Sequence, residues 1–142
     1  MRVEELLLHK GTRIISVRMG ETVETAARML RRENIGAVVV KDVCGTEGDT
    51  IMGMLSERDV VRALVDHGPA VLKKPVSSLM STNVICCRPT DDLADAVALF
   101  DRHQIRHLPV IDGTALIGVI SIRDIIAVTA AEAARAAHRT AA

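Results

Sequence analysis

The sequence predicts an α+β protein built from two β-α-β-β-α units that pack through their sheets with approximate two-fold symmetry. The main evidence is an internal repeat, in which one offset aligns Thr12 with Thr82 and a slightly shorter one aligns Gly53 with Gly118. The offset changes in a turn-rich loop at residues 44–49, where a change of length costs little free energy. Within each unit, short apolar runs typical of strands alternate with apolar residues at the spacing of one helix face.

The first unit follows a short N-terminal helix at residues 3–9, which Gly11 is expected to end. Its strands are predicted at residues 13–17, 37–40 and 51–55. Thr22 is the predicted N-cap of the helix between the first two strands, which buries the face formed by Val23, Ala26, Ala27 and Leu30. The helix after Ser56 is expected to bury four residues: Val60, Val61, Leu64 and Val65.

The second unit repeats this order, with strands predicted at residues 84–87, 108–111 and 116–120. The turn Asp112-Gly113 is typical of a hairpin between the last two strands. The first helix of this unit is expected to bury Leu93, Ala96, Val97 and Phe100. The predicted organisation is a helical lead-in at 1–12, repeats at 13–68 and 81–128, a linker at 69–80 and an alanine-rich helical tail at 129–142.

Composition narrows the classes of function. The net charge is +0, so nucleic acid and anionic membranes are not expected partners. The chain has one Phe and neither Trp nor Tyr, which removes the aromatic platforms that single-strand binders use. The N-terminus lacks a signal-peptide pattern, no run is apolar enough to span a membrane, and the three cysteines form no disulfide framework. These features predict a reduced protein in the cytoplasm.

The same strand-to-helix junction occurs in each unit, as Gly53-Met54-Leu55-Ser56-Glu57-Arg58-Asp59 and as Gly118-Val119-Ile120-Ser121-Ile122-Arg123-Asp124. A serine followed by a carboxylate three residues later, at the start of an apolar helix, has the pattern of a capping box. The same pair suits a phosphorylated ribose, because a carboxylate accepts hydrogen bonds from two neighbouring hydroxyls and a helix N-terminus attracts phosphate. The residues alone leave both interpretations open.

These two junctions, with a strand of the Ile-Arg-His-Leu-Pro-Val type at residues 105–110, resemble a tandem pair of CBS (cystathionine β-synthase) domains. The resemblance covers residue 13 to about residue 128 and implies a stand-alone pair without a fused enzyme or transporter. It implies a regulatory module with two clefts between the repeats, which bind adenosine compounds such as AMP, ADP, ATP, NAD or S-adenosylmethionine. It further implies a disc-like homodimer formed through helices, and a regulated partner protein.

The resemblance also implies which residues hold the ligand. Each junction aspartate would grip the ribose hydroxyls and each junction serine the ribose or phosphate, in sites that are crossed between the repeats. The Asp59 site would comprise Ser56, Arg58, Asp59, Thr82, Asn83, Val84, Ile105, Arg106 and His107. The Asp124 site would comprise Ser121, Arg123, Asp124, Thr12, Arg13, Ile14, Ile35, Gly36 and Ala37. Since Arg106 and His107 are basic where the first repeat has Gly36 and Ala37, the Asp59 site is expected to prefer phosphorylated ligands.

Four other interpretations compete with nucleotide sensing. The same fold with empty clefts would be a dimeric scaffold. An enzyme is not expected, because the sequence shows no activated nucleophile, acid–base pair or metal box. A metal site is not expected either, because His103, His107, Cys86 and Cys87 fit no zinc-ligand spacing. The adjacent cysteines are better explained as residues that fill a strand than as a redox switch.

Overall fold

The computed structural model describes residues 1–42 and 50–141, with side chains as far as residue 140. The loop predicted at residues 44–49, which includes Cys44, lies outside the described residues. The helices are α1 (Val3–Lys10), α2 (Val23–Glu33), α3 (Glu57–His67), α4 (Leu93–His103) and α5 (Ile122–Ala141). The strands are β1 (Ser16–Arg18), β2 (Ala37–Lys41), β3 (Ile51–Ser56), β4 (His107–Asp112) and β5 (Ala115–Ser121). The predicted α+β class is confirmed.

The described chain divides into two compact units. The Asp59 unit contains Ile14–Val84 and Thr114–Leu116, and the Asp124 unit contains Met1–Arg13, Ile85–Gly113 and the chain from Ile117 onward. The segment that precedes each repeat therefore lies in the unit of the other repeat. Residues 69–80, assigned to a linker from the sequence, form 3-10 turns at Pro69–Lys73 and Val76–Ser78 whose valines Val71 and Val76 are buried.

The Asp59 unit is built on a three-stranded sheet in the order β1-β2-β3. β1 runs parallel to β2 with Val17 opposite Val40, and β2 runs antiparallel to β3 with Val38 opposite Leu55. Thr22 caps α2 as predicted, since its side chain accepts a hydrogen bond from the amide of Thr25. The apolar face of α2 and the sheet together form a core that excludes water, which is the main source of stability in this unit.

The Asp124 unit contains the two-stranded sheet of β4 and β5. The prediction of a strand at residues 84–87 is wrong, because Cys87 pairs with Val110 in an isolated bridge and not in a strand ladder, parallel like its counterpart in the first repeat. In the first repeat the amides of Met19 and Val39 donate hydrogen bonds on either side of this position. Proline replaces both residues in the second repeat, as Pro89 and Pro109, and proline has no N–H to donate.

Helix α3 is less buried than its sequence predicts. Val60 and Ala63 lie in the core, whereas Val61 is 58% exposed and Val65 is 80% exposed. Residues three or four positions apart share a helix face, so Val61 and Val65 belong together on a face beside the buried one. The prediction that all four apolar residues of this helix are buried is therefore wrong for these two valines. In α4, Val97 is likewise 47% exposed.

Helix α1 docks on the turn that precedes α4. The amide of Val3 donates to the carbonyl of Asp91 and the amide of Leu93 donates to the carbonyl of Met1. Gly11 ends the helix as predicted, with φ at 92°, a conformation that favours glycine. Helix α5 continues through the alanine-rich segment at the end of the chain. Among the described helices, none is both long and apolar enough to cross a membrane.

Candidate functional site

The candidate site is the strand-to-helix junction that occurs once in each unit. β3 ends at Ser56 where α3 begins, and β5 ends at Ser121 where α5 begins. A glycine lies three residues before each serine because a neighbouring segment passes close by. A Cβ at Gly53 would lie 2.6 Å from the carbonyl oxygen of Ser81, and a Cβ at Gly118 would lie 2.8 Å from Cδ2 of Leu7.

Both junctions are capping boxes, so the capping interpretation is confirmed. The Ser56 amide donates to Oδ2 of Asp59 at 2.9 Å, and the Asp59 amide donates to Oγ of Ser56 at 3.1 Å. The Ser121 amide donates to Oδ2 of Asp124 at 2.8 Å, and the Asp124 amide donates to Oγ of Ser121 at 3.1 Å. Each box uses only one oxygen of its aspartate. The second oxygen, Oδ1, makes no hydrogen bond to any described residue, which leaves an acceptor for a ligand.

The two carboxylates differ in their ionic partners. Lys10 Nζ lies 2.9 Å from Oδ2 of Asp124, and the two side chains are 26% and 23% exposed. The same ammonium donates a hydrogen bond to the carbonyl of Val119. The structure gives Asp59 no ion pair with any described residue of its unit. The Asp124 junction thus carries an internal cation, whereas the Asp59 junction keeps a net negative charge.

The Asp59 unit also holds the first three residues predicted to complete that site. The backbones of Met54 and Ser81 exchange two hydrogen bonds, of 3.0 and 2.8 Å, which fix the following segment beside β3. Thr82 and Asn83 in this segment are exposed and Val84 is half-buried. Ile105, Arg106 and His107 belong to the other unit. Their contribution to the Asp59 site therefore stays a prediction.

The residues predicted to complete the Asp124 site are divided in the same way. Thr12 and Arg13 share its unit and are exposed. Arg106, which was predicted for the Asp59 site, lies in this unit too, and its carbonyl accepts a hydrogen bond from the Ile122 amide. Four residues belong to the Asp59 unit: Ile14, Ile35, Gly36 and Ala37. The carbonyl of Gly36 accepts from the Glu57 amide at the start of α3. The junction arginines, Arg58 and Arg123, are both exposed.

Cys87 lies in the core of the Asp124 unit, and Cys86 beside it is half-buried. Cys87 is only 3% exposed, and burial, followed by the negative charges of Asp91 and Cys86, raises its pKa from 9.0 to about 12. Burial also raises the pKa of Cys86. Protonated thiols are poor nucleophiles, so this arrangement favours a packing role for Cys87 over a redox switch. Among residues 1–42 and 50–141, no three His, Cys, Asp or Glu side chains are grouped to hold a metal ion.

Lys10 makes the contact at the Asp124 junction that the sequence did not predict. It lies 109 residues from its acceptor Val119, so no local motif connects the two. The one available signal was the length of the segment before each repeat. This segment runs from Val3 to Thr12 in the first repeat but only from Val76 to Thr82 in the second.

Comparison with known proteins establishes the family. The model of the CBS domain matches twice, at residues 3–66 and 76–131, and the chain belongs to this family. A CBS-domain containing protein from Agrobacterium tumefaciens is 34% identical, with a TM-score of 0.82 over 88% of this chain and 90% of that one. The CBS domain-containing protein YhcV of Bacillus subtilis is 32% identical over 80% of this chain and 77% of its own length.

A further solved relative carries a ligand. A CBS domain protein from Pyrobaculum aerophilum, complexed with AMP, is 28% identical to this chain. The match has a TM-score of 0.75 and covers 87% of this chain and 89% of that one. The resemblance stated from the junction motifs is therefore confirmed at the level of the family and its fold.

Proposed function

We propose that this chain is a regulatory CBS pair that binds an adenosine nucleotide at its junctions and passes occupancy to a partner protein, without catalysing a reaction. The main support for this proposal is the Asp59 junction, where a half-buried carboxylate keeps one oxygen available beside the N-terminus of α3. The AMP complex of the relative from Pyrobaculum aerophilum supports this assignment. The module is expected to act in the cytoplasm, as its reduced cysteines predict.

The chemistry of the junction fits the ribose of such a ligand. The two neighbouring hydroxyls of a ribose are donors, and the ionised carboxylate of Asp59 is an acceptor with an oxygen to spare. Hydrogen bonds to an ionised acceptor are stronger than those between neutral groups. The N-terminus of α3 carries a partial positive charge, which favours a phosphate attached to that ribose. Thr82 and Asn83, exposed in the same unit, add polar side chains for the remainder of the ligand.

AMP is the first ligand to test. AMP, ADP, ATP, NAD and S-adenosylmethionine share an adenosine whose ribose offers the same pair of hydroxyls. Asp59 recognises this shared part, so it does not by itself choose among them. The choice depends on how many cationic groups reach the phosphates. The relative with AMP makes the singly phosphorylated nucleotide the best-supported candidate.

Thermal melts followed by circular dichroism test this proposal, because the chain lacks Trp and Tyr for fluorescence. A ligand at one hundred times its dissociation constant should add about 2.7 kcal/mol, a shift of several degrees for a chain of this size. Asp59→Ala should abolish the shift. Asp59→Glu should keep the melting temperature without ligand, since glutamate also completes a capping box, yet reduce the shift.

A dimeric scaffold without ligand is the alternative, and the capping boxes favour it because they explain each Ser-Asp pair without a nucleotide. No shift from any of the five compounds would make this alternative the better account. In either case we propose a homodimer formed through the exposed Val61 and Val65 of α3. Val60, Ala96 and Phe100 on the apolar faces of α3 and α4 lie in the cores of their units and are not available to a partner. Val65→Lys should yield monomers in analytical ultracentrifugation, whereas a monomeric parent protein would contradict the dimer.

A further inference from the structure

We infer that Lys10 is an internal occupant of the Asp124 junction, so that a nucleotide binds there in competition with its positive charge. The two junctions would then fill in order, Asp59 first and Asp124 second. Lys10 thereby sets the difference in affinity between two sites whose capping boxes are the same. This inference rests on the proposed binding of nucleotides at the junctions.

Lys10 donates to the same carboxylate to which a nucleotide would donate. An ammonium group is a donor with three N–H bonds, and here it donates to a carboxylate and to a backbone carbonyl. Ribose hydroxyls would donate to the same carboxylate. The positive charge of Lys10 also neutralises the carboxylate of Asp124, which then attracts further hydrogen-bond donors less strongly. Lys10 contacts Oδ2 and leaves Oδ1 open to a ribose, so the two compete for the negative charge of Asp124 and not for one oxygen. Asp59 has no such competitor among the described residues of its unit.

The competitor exists because one segment is longer than its counterpart. Both segments dock alike, as the Val3 amide donates to the turn before α4 and the Val76 amide donates to the turn before α2. The path to the aligned threonine is three residues longer in the first segment. That length forms the last turn of α1, which ends at Lys10.

The extra turn of α1 takes the place of a backbone hydrogen bond that the Asp59 unit makes at the aligned carbonyl. In the Asp59 unit, the carbonyl of Met54 accepts a hydrogen bond from the backbone amide of Ser81 at 2.8 Å. In the Asp124 unit, the aligned residue Val119 accepts from the side chain of Lys10 instead. The longer segment thus exchanges a backbone donor for a cation that also reaches the carboxylate. Lysine is the favoured kind of residue at this place, since a positive charge stabilises a helix C-terminus.

Lys10 and Asp124 are both partly exposed to water, so their ion pair is a weak competitor of a ligand. Both side chains are about one quarter exposed, at 26% and 23%. Ion pairs with access to water are weak, because water and salt compete for both charges. Removal of the lysine charge should therefore strengthen binding at this junction by up to about fivefold. A larger change would need a buried pair, which this is not.

Isothermal titration with AMP tests the inference in the full chain. The parent protein should show one stronger site and one weaker site, and Asp59→Ala should remove the stronger one. Lys10→Met, which keeps the length of the side chain without its charge, should strengthen the weaker site. Lys73→Met is the matched control, since Lys73 is exposed and makes no ion pair with a described residue of either junction, and it should change neither site. Addition of Asp124→Ala to Lys10→Met should remove the gain.

The outcomes separate the inference from the proposed function. If AMP binds the parent protein but Lys10→Met leaves the weaker site unchanged or weakens it, Lys10 is not a competitor and the inference fails alone. If neither protein binds AMP, ADP, ATP, NAD or S-adenosylmethionine, the proposed nucleotide function fails.

A measurement without ligand tests the lysine contact itself. Amine-reactive labelling of the native protein should modify Lys10 several times more slowly than Lys73, and Asp124→Asn should remove most of that difference. Equal labelling of the two lysines in the parent protein would show that Asp124 does not hold Lys10, and would overturn the inference.

Discussion

The Asp59 and Asp124 junctions have the same backbone and different chemistry. Each is a serine-aspartate capping box at the end of a strand, with amide-to-oxygen distances between 2.8 and 3.1 Å. Only the Asp124 junction holds an ammonium group against its carboxylate. The repeat therefore duplicates the capping box, while the segment packed beside each junction determines whether a cation lies against its aspartate. Duplicated motifs in this chain should not be given the same function by alignment alone.

The largest expected difference between the junctions concerns their glycines. Gly53→Ala places a Cβ 2.6 Å from a backbone oxygen, whereas Gly118→Ala places one 2.8 Å from a leucine methyl that can rotate away. Overpacking against the rigid neighbour should cost about 1–3 kcal/mol, and the other substitution less than about 1 kcal/mol. Guanidinium unfolding curves of the two variants would measure both losses. Equal losses would show that Leu7 is held as firmly as the Ser81 backbone.

A second contrast is the buried thiol of Cys87, which occupies the place of Val17 in the repeat. The folded pKa is raised from 9.0 to about 12, so its contribution to stability is complete below pH 9. Above pH 9 the unfolded thiol loses its proton while the folded one keeps it. The free energy of unfolding should then fall by about 1.4 kcal/mol per pH unit until about pH 12.

The control for this prediction is Cys87→Val, which makes the second repeat resemble the first at this position. The variant should lose the alkaline slope relative to the parent protein, with little change in stability at pH 7. Parallel pH profiles of the two proteins from pH 8 to pH 10, measured by chemical unfolding, would refute the buried-thiol account.

The smallest expected contrast separates capping from ion pairing. Asp59→Ala and Asp124→Ala should each cost about 1 kcal/mol, because each removes the carboxylate half of a capping box. The Asp124 variant also loses an ion pair worth at most about 1 kcal/mol, which salt screens. The extra loss should therefore shrink between 50 mM and 1 M salt. A salt response of the same size in both variants would argue against the Lys10 pair.

Local patterns predicted most of the fold. Thr22, Gly11 and the apolar spacing of α2 each act within a few residues, so their outcome is visible in the sequence. The helix after Ser56 was only partly predicted, because periodicity alone does not say how wide the buried face is, and Val61 and Val65 lie outside it. The strand predicted at residues 84–87 does not form because Pro89 and Pro109 have no N–H groups to donate to the ladder. The apolar content of the segment does not reveal these missing donors.

The candidate site was predicted only in part, because local motifs reveal its capping boxes but not its long-range contacts. Both serine-aspartate pairs were found because they are local motifs that occur twice. Their function as capping boxes follows from the hydrogen bonds, while their function toward a nucleotide stays a proposal. Lys10 was missed because its contacts span more than one hundred residues, with Val119 lying 109 positions away. Contacts of that kind depend on how segments pack, and neither composition nor spacing encodes them.

The most direct test of the central claim is an NMR titration with AMP that follows the amides of both junctions together. The amides of Ser56 and Asp59 should shift first, at low AMP, and saturate. The amides of Ser121 and Asp124 should shift only at higher AMP, because Lys10 already neutralises the carboxylate of Asp124. Shifts that begin together at both junctions, or begin at Asp124, would contradict the claim that Asp59 is the primary site.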